Sequence, residues 1–224
     1  MSVPEAEVAP PASPLLDGRR WVTLGVAACL LGGAMVWKAT RRRAAADVEA
    51  SGVASAGPSP VTVIDDVKPL PDFRLAGTRG EVTRASLLGH WTLLYFGYTQ
   101  CPDVCPTTLS ALKAAFAQLG SLPRPRVLFV SVDPDRDTPA LLREYMAAFD
   151  PQFDAATGDD QALGPLVRHL GVHYARATPG ERGTYTVDHT AAVFLIDPQS
   201  RLKALIGHPP DPAQVAAQLQ RLAR

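Results

Sequence analysis

A strand-to-helix junction that carries two cysteines is the feature that most constrains the fold of this chain. Residues Trp91–Tyr98 (WTLLYFGY) are apolar and aromatic, which is typical of a buried strand. The segment CPDVCP follows at residues 101–106. Pro106 is tolerated only in the first turn of a helix, because deeper in a helix its ring clashes with the preceding turn. We therefore predict that a helix begins beside Cys101 and Cys105.

The rest of the chain repeats the alternation of strands and helices. Helical spacing of apolar residues continues from Pro106 to Leu119, and Thr138-Pro139 is a helix start with Thr as the cap. Further strands are predicted at Arg126–Val132, Ala192–Ile196 and Arg201–Ile206, and a last helix from Asp211. This alternation predicts an α/β layer structure, and the two adjacent late strands predict a mixed central sheet.

An apolar run near the N-terminus predicts a transmembrane helix. Residues 21–37 (WVTLGVAACLLGGAMVW) contain no charge, and a tryptophan at each end suits the membrane interface. Residues 1–20 predict a disordered tail, and 38–63 a flexible linker that is rich in small residues. The globular domain is then expected at 64–224.

The amino-acid composition argues against two classes of protein. The chain has 22 basic and 22 acidic residues, which argues against a nucleic-acid binder. Three cysteines are too few for a disulfide-stapled scaffold. The pair at the helix start is therefore more informative than the number of cysteines.

The cysteine pair predicts thiolate chemistry. Unpaired N–H groups at a helix N-terminus favour negative charge, so we expect lowered thiol pKa values at Cys101 and Cys105. Their spacing of four brings the sulfurs to one side of a helical turn. Such a pair chelates a soft metal, Cu(I) before zinc, or closes a disulfide.

His189 is the candidate third ligand. It lies immediately before the strand Ala192–Ile196, on a loop that a thioredoxin-like topology turns toward the cysteine helix. Two sulfurs and one imidazole suit copper in either oxidation state. Asp188 is a candidate to orient the ring. The four other histidines are expected to be surface or core residues: His90, His169, His173 and His208.

An acidic loop follows the second buried strand. Asp133, Asp135 and Asp137 lack the glycine and the terminal glutamate of a calcium loop. We expect these carboxylates to cap a turn and to offer a docking surface to a partner.

Three blocks of the chain resemble the signature of the Sco (SenC) family of copper-binding assembly factors. They are Tyr95–Leu109, Ser131–Pro139 and Asp188–Pro198. The resemblance implies a thioredoxin-like fold behind one N-terminal anchor. It also implies one copper ion per domain, as Cu(I) or Cu(II), held by Cys101, Cys105 and His189. By the same resemblance, Asp133 and its neighbours affect metal loading or docking.

The resemblance also implies a function and a cellular location. Family members deliver copper to, or reduce the cysteines of, the binuclear copper site of cytochrome c oxidase subunit II, so other copper chaperones or thiol reductants are expected partners. The domain is expected in the bacterial periplasm on an inner-membrane anchor, or in the mitochondrial intermembrane space. The basic residues flanking the span, two before it and four after it, point to the opposite orientation.

A thiol–disulfide oxidoreductase is the alternative function. Such enzymes usually separate their cysteines by two residues and place a proline opposite them. This chain has three intervening residues, and no proline between Tyr185 and Asp197. Copper delivery and thiol reduction use the same sulfurs, so the two roles are compatible. We expect a metallochaperone rather than an enzyme.

Overall fold

The computed structural model describes residues 61–64, 68–177 and 185–222. The expected tail, the expected span and most of the expected linker lie outside these residues. Within the described ranges, no helix combines the length and the apolarity that crossing a bilayer requires.

The described chain contains a sheet flanked by helices and a separate two-stranded ribbon. The strands are β1 Val61–Val63, β2 Arg74–Gly77, β3 Gly80–Thr83, β4 Thr92–Gly97, β5 Arg126–Ser131, β6 Asp154–Thr157, β7 Tyr174–Arg176, β8 Val187–His189, β9 Val193–Ile196 and β10 Leu202–Ile206. The helices are α1 Arg84–Leu87, α2 Val104–Ala117, α3 Pro139–Ala147, α4 Asp160–Leu170 and α5 Pro212–Leu222.

The main sheet is mixed, as predicted. Its strand order is β1-β10-β9-β4-β5-β6-β2-β3, and β4, β5 and β6 run parallel to one another. Strand β9 lies antiparallel to β4, with Val193 opposite Tyr95. Because β8 ends just before β9 begins, this pairing brings His189 to the end of the sheet where β4 leads into the cysteines.

Strand β4 is buried throughout because both faces of the sheet are covered. Leu93 and Tyr95 belong to the core shared with α2, α3 and α5, whereas Leu94 and Phe96 belong to the core on the opposite face, which includes residues of α1 and α4. The cysteine loop therefore starts from a strand that is fixed on both sides.

The predicted helix starts are confirmed. Helix α2 begins at Val104, with Pro106 as its third residue. Thr138 caps α3 by accepting a hydrogen bond from the Leu141 amide at 3.3 Å, and Pro139 is the first residue of that helix.

Several regions differ from the sequence-based expectation. Val61–Val63, assigned to the linker, pair with Ala204–Ile206 and extend the sheet, because the alternating Val-Thr-Val can satisfy the hydrogen-bonding edge of β10. The sequence analysis did not predict strands β2, β3, β6, β7 and β8 or helices α1 and α4. Helix α4 ends at Leu170 and is capped by Gly171, which has φ 65°, so His169 and His173 do not share a helical face.

Candidate metal centre

The two cysteines differ in depth. Cys105, the second residue of α2, is 0% exposed, whereas Cys101 in the preceding turn is half-buried. Both thiols are free. The Cys105 amide donates a hydrogen bond to the Cys101 sulfur at 3.4 Å. One of the otherwise unpaired N–H groups at the start of α2 thus holds the outer sulfur over the helix end.

His189 completes the cluster that the sequence predicted. It is the last residue of β8, and its Nε2 lies 3.5 Å from the Cys105 sulfur. The two sulfurs and one imidazole nitrogen all lie within 4.8 Å of one another. Sulfur and nitrogen donors bind metals such as zinc at about 2.0–2.3 Å, so three donors around one ion stand roughly 4 Å apart. The residues present therefore fit a metal ion with little rearrangement.

The imidazole is oriented toward the sulfurs by its other nitrogen. His189 Nδ1 lies 3.2 Å from the Thr190 carbonyl oxygen, which accepts a hydrogen bond when Nδ1 carries the proton. Nε2 then presents its lone pair to the site. Burial lowers the pKa of His189 below its ordinary value, which keeps the ring neutral and able to coordinate. The Thr190 carbonyl thus occupies the orienting position for which the sequence offered Asp188, an exposed residue of β8.

The expected lowering of the thiol pKa is wrong for Cys105. Burial raises the pKa of this thiol to about 12, which outweighs the stabilising effect of the helix start. The Tyr95 hydroxyl, 3.6 Å from the sulfur, is a further neighbour that the sequence analysis missed. At neutral pH the metal-free Cys105 is therefore a thiol, and a bound cation has to replace its proton.

Gly97, the last residue of β4, makes room for the buried sulfur. A Cβ at this position would lie 2.7 Å from the Cys105 sulfur and 2.6 Å from the Phe129 ring. Both distances are far shorter than van der Waals contact, so any side chain at residue 97 would displace the thiol.

Two tyrosines enclose the imidazole. The rings of Tyr95 and Tyr98 lie 6.1 and 6.0 Å from the His189 ring, both edge-on. Burial raises the pKa of each tyrosine. Alternation along β4 directs Tyr95 toward α2, and this was the one signal in the sequence that could have identified it.

The acidic loop is hydrogen-bonded to the segments that surround the site. Asp137 is buried and accepts hydrogen bonds from the Ser131 hydroxyl at 2.6 Å and the Thr99 amide at 3.0 Å. Asp133 is also buried; it accepts a hydrogen bond from the Tyr185 hydroxyl at 2.7 Å and pairs with Arg136. These two carboxylates tie the end of β5 to the loops that carry the metal-binding side chains.

Asp135 differs from its two neighbours. It is exposed, and its carboxylate lies 3.3 Å from the Arg176 guanidinium. The expected docking role of the acidic loop therefore stays a prediction, and Asp135 is the member of the loop that a partner can reach.

A cavity of about 290 Å³ opens above the cluster. Cys101 and His189 form part of its wall, together with Tyr98 and the exposed Asp103 and Asp188. The site is thus accessible from one side through the Cys101 sulfur and the His189 imidazole, whereas Cys105 is buried and does not line the cavity.

Comparison with known proteins places this arrangement in a family. The family model described as SCO1/SenC matches residues 65–224. A mitochondrial SCO2 homolog of Bos taurus is 39% identical over 131 residues, which cover 57% of this chain and 49% of the relative. The chain spans about half the length of such curated relatives.

Solved structures agree with the fold. Arabidopsis thaliana ScoI with copper bound is 32% identical, with a TM-score of 0.64 over 69% of this chain and 97% of that one. Apo Sco1 from Thermus thermophilus is 40% identical, with a TM-score of 0.64 over 72% of this chain and 95% of that one. The mixed sheet with helices on both faces is therefore the thioredoxin-like arrangement of these proteins. Since the family model covers the whole described domain except its first strand, the chain belongs to the SCO1/SenC family.

Proposed function

We propose that this protein binds one copper ion through Cys101, Cys105 and His189. The observation that carries the proposal is the convergence of two sulfurs and one imidazole nitrogen within 4.8 Å of one another. The copper bound by the Arabidopsis relative named above supports the choice of metal.

The donor set favours copper over zinc. Thiolates select soft ions, whereas structural zinc usually takes four protein ligands in a closed tetrahedron. Here three donors converge, and the nearby buried carboxylates of Asp133 and Asp137 are engaged by hydrogen bonds from other groups. A three-donor site with one open side suits an ion that is loaded and later released.

We further propose that the protein supplies this copper to the binuclear copper site of cytochrome c oxidase subunit II. The cavity beside Cys101 and His189 supports this role, because an incoming ligand has access to the ion there. Transfer between thiolate donors needs no separate catalyst when both donor sets can contact the ion together.

The proposed location is a membrane surface. The apolar run 21–37 would anchor the chain, with the domain in the bacterial periplasm or the mitochondrial intermembrane space. The flanking basic residues favour the opposite orientation, so the orientation of the span has to be measured separately.

The orientation can be measured with a reporter that is active on only one side of the membrane, fused after residue 224. Reporter activity in the cytoplasm would contradict the proposed location.

Thiol–disulfide reduction is the second candidate function. The observation in its favour is the pairing of a half-buried thiol, Cys101, with a buried one, Cys105, since redox pairs commonly combine an accessible and a resolving cysteine. His189, facing the same sulfurs, favours the metal instead.

Copper titration of the purified chain discriminates between the two functions. We expect one copper per chain and thiolate-to-copper charge-transfer absorption, lost in Cys101→Ser and Cys105→Ser. His189→Ala should change the spectrum by removing a nitrogen ligand. Turnover in an insulin-reduction assay, without stoichiometric copper binding, would instead support the oxidoreductase.

A further inference from the structure

The loops around the candidate site meet at one arginine. Arg136 Nη1 donates hydrogen bonds to the Gln100 side-chain oxygen at 2.9 Å and to the Tyr185 carbonyl oxygen at 3.0 Å. Its Nε pairs with the buried carboxylate of Asp133. The guanidinium therefore joins the cysteine loop, the acidic loop and the segment that leads into β8.

Aromatic contacts extend this connection to the imidazole. The Arg136 guanidinium lies 3.7 Å from the centre of the Tyr185 ring and 5.7 Å from that of the Tyr98 ring. The Tyr98 ring in turn meets the His189 ring edge-on. Arg136 is thus linked to His189 by two routes, one through the backbone of Tyr185 and one through the ring of Tyr98.

The strand that carries His189 needs such a connection. Strands β7 and β8 have three residues each and form a ribbon separate from the main sheet. A short two-stranded ribbon is marginally stable on its own. By contrast, Cys105 lies on the buried face of α2, and Cys101 is in the turn that immediately precedes this helix.

We propose that Arg136 is a positioning residue that holds the β8 segment against the cysteine loop and so sets the distance between the His189 imidazole and the two sulfurs. The role rests on the proposed copper site. A planar guanidinium is suited to it, because it donates in several directions within one plane while its faces pack on aromatic rings. A lysine keeps the charge but loses this geometry.

The direct test compares Arg136→Lys with the wild-type chain for both copper oxidation states. Two thiolates alone can hold Cu(I), whereas Cu(II) depends more on the nitrogen ligand. We expect Cu(II) affinity to fall about 10-fold, in the range typical for loss of a group that orients a metal ligand. Cu(I) affinity should change less than about 3-fold, and nitrogen hyperfine coupling in the Cu(II) EPR spectrum should weaken. Unchanged Cu(II) affinity would overturn the proposal.

A double-mutant cycle separates positioning from general destabilisation. If Arg136 acts through the imidazole, Arg136→Lys should have no further effect on Cu(II) affinity in a His189→Ala background. An equal loss in both backgrounds contradicts the proposal. Arg201→Lys is the matched control, because Arg201 also pairs with a buried aspartate, Asp197, but at the opposite end of β9.

Amide hydrogen exchange of the metal-free chain tests the same inference without copper. In Arg136→Lys, amides of residues 185–189 should exchange about 10-fold faster relative to those of α2, as expected for local opening. The control Arg201→Lys should leave that ratio unchanged. Tyr185→Leu, which removes the stacked ring, should act in the same direction. Unchanged exchange at 185–189 in both site variants would refute the positioning role. Failure of the wild-type chain to bind copper would instead refute the proposed function.

Discussion

Helix α2, which carries Cys105, and strand β8, which carries His189, meet at the same site but are held in different ways. Six residues of α2 are buried, and the helix packs into the core beneath the sheet. Only Val187 is buried in β8. The segment that leads into this strand is held by contacts of Tyr185 with Arg136. The sulfur side of the site is therefore set by core packing, and the imidazole side by a local network.

This difference predicts that the sulfur side dominates copper binding. Cys105→Ser should abolish stoichiometric copper binding, because it removes the deepest donor and the serine hydroxyl is a poor ligand for a soft ion. Copper per chain, measured after gel filtration, checks this outcome. Cys29→Ser is the control, since Cys29 lies far from the motif in sequence, and it should retain full loading. A Cys105→Ser chain that keeps one copper would contradict the assignment.

The difference in depth between the two thiols predicts unequal reactivity. In the metal-free chain at neutral pH, iodoacetamide should modify Cys105 at least about 100-fold more slowly than Cys101, because only the thiolate reacts and the pKa of Cys105 is raised to about 12. Mass spectrometry of digested samples provides the rates. Unfolding in denaturant should remove the difference.

The pH dependence of the folding stability that arises from Cys105 has a defined sign. Folding favours the protonated Cys105 thiol, so its contribution to stability is present below the unfolded pKa of 9.0 and is lost as pH rises toward 12. Equal alkylation of both folded thiols at neutral pH would show that Cys105 is not buried in solution.

Gly97→Ala probes the packing of the sulfur side. Because the added methyl would meet the Phe129 ring and the Cys105 sulfur, we expect a loss of about 2 kcal/mol in the free energy of unfolding, together with weaker copper binding. Gly164→Ala in α4 is the matched control, since its nearest contact is the flexible end of Arg168. Denaturant titration measures the free energy of unfolding of the two variants. Equal stability of the two variants would argue against a tight sulfur pocket.

Substitutions in the acidic loop should lower the stability to a degree that follows burial. Asp137→Asn replaces one acceptor of hydrogen bonds from Ser131 and Thr99 with a donor, and should cost about 1–3 kcal/mol. Asp135→Asn, at a 70% exposed side chain, should cost less than about 1 kcal/mol. Thermal unfolding of the two variants compares them. The reverse order would mean that Asp137 does not anchor the cysteine loop.

The sequence was sufficient for the parts of the site that local pattern determines. A mainly apolar and aromatic run identified β4, and the restriction on Pro106 located the start of α2 within a few residues. His189 followed from its place just before a buried strand, together with the expected thioredoxin-like topology. The first two inferences used only the chemistry of neighbouring residues, which is the information that a single sequence holds.

The features that the sequence analysis did not predict depend on contacts between segments that are distant in the sequence. Arg136 reaches Gln100 and Tyr185, 36 and 49 residues away, and no local pattern marks such a contact. Helix α4 contains Gly164 and Pro165, which weaken a helical prediction, although packing of its apolar face keeps it in place. The raised pKa of Cys105 arises from burial, which the helix position alone did not reveal.

The burial of Cys105, which does not line the cavity, has a consequence for the order of ligand exchange. Its sulfur is shielded, so a competing donor meets Cys101 or His189 first. If copper is delivered as proposed, its donors would be replaced one bond at a time, and the buried Cys105 sulfur would be the last to be released. Copper would then pass between proteins through shared ligation rather than as a free hydrated ion.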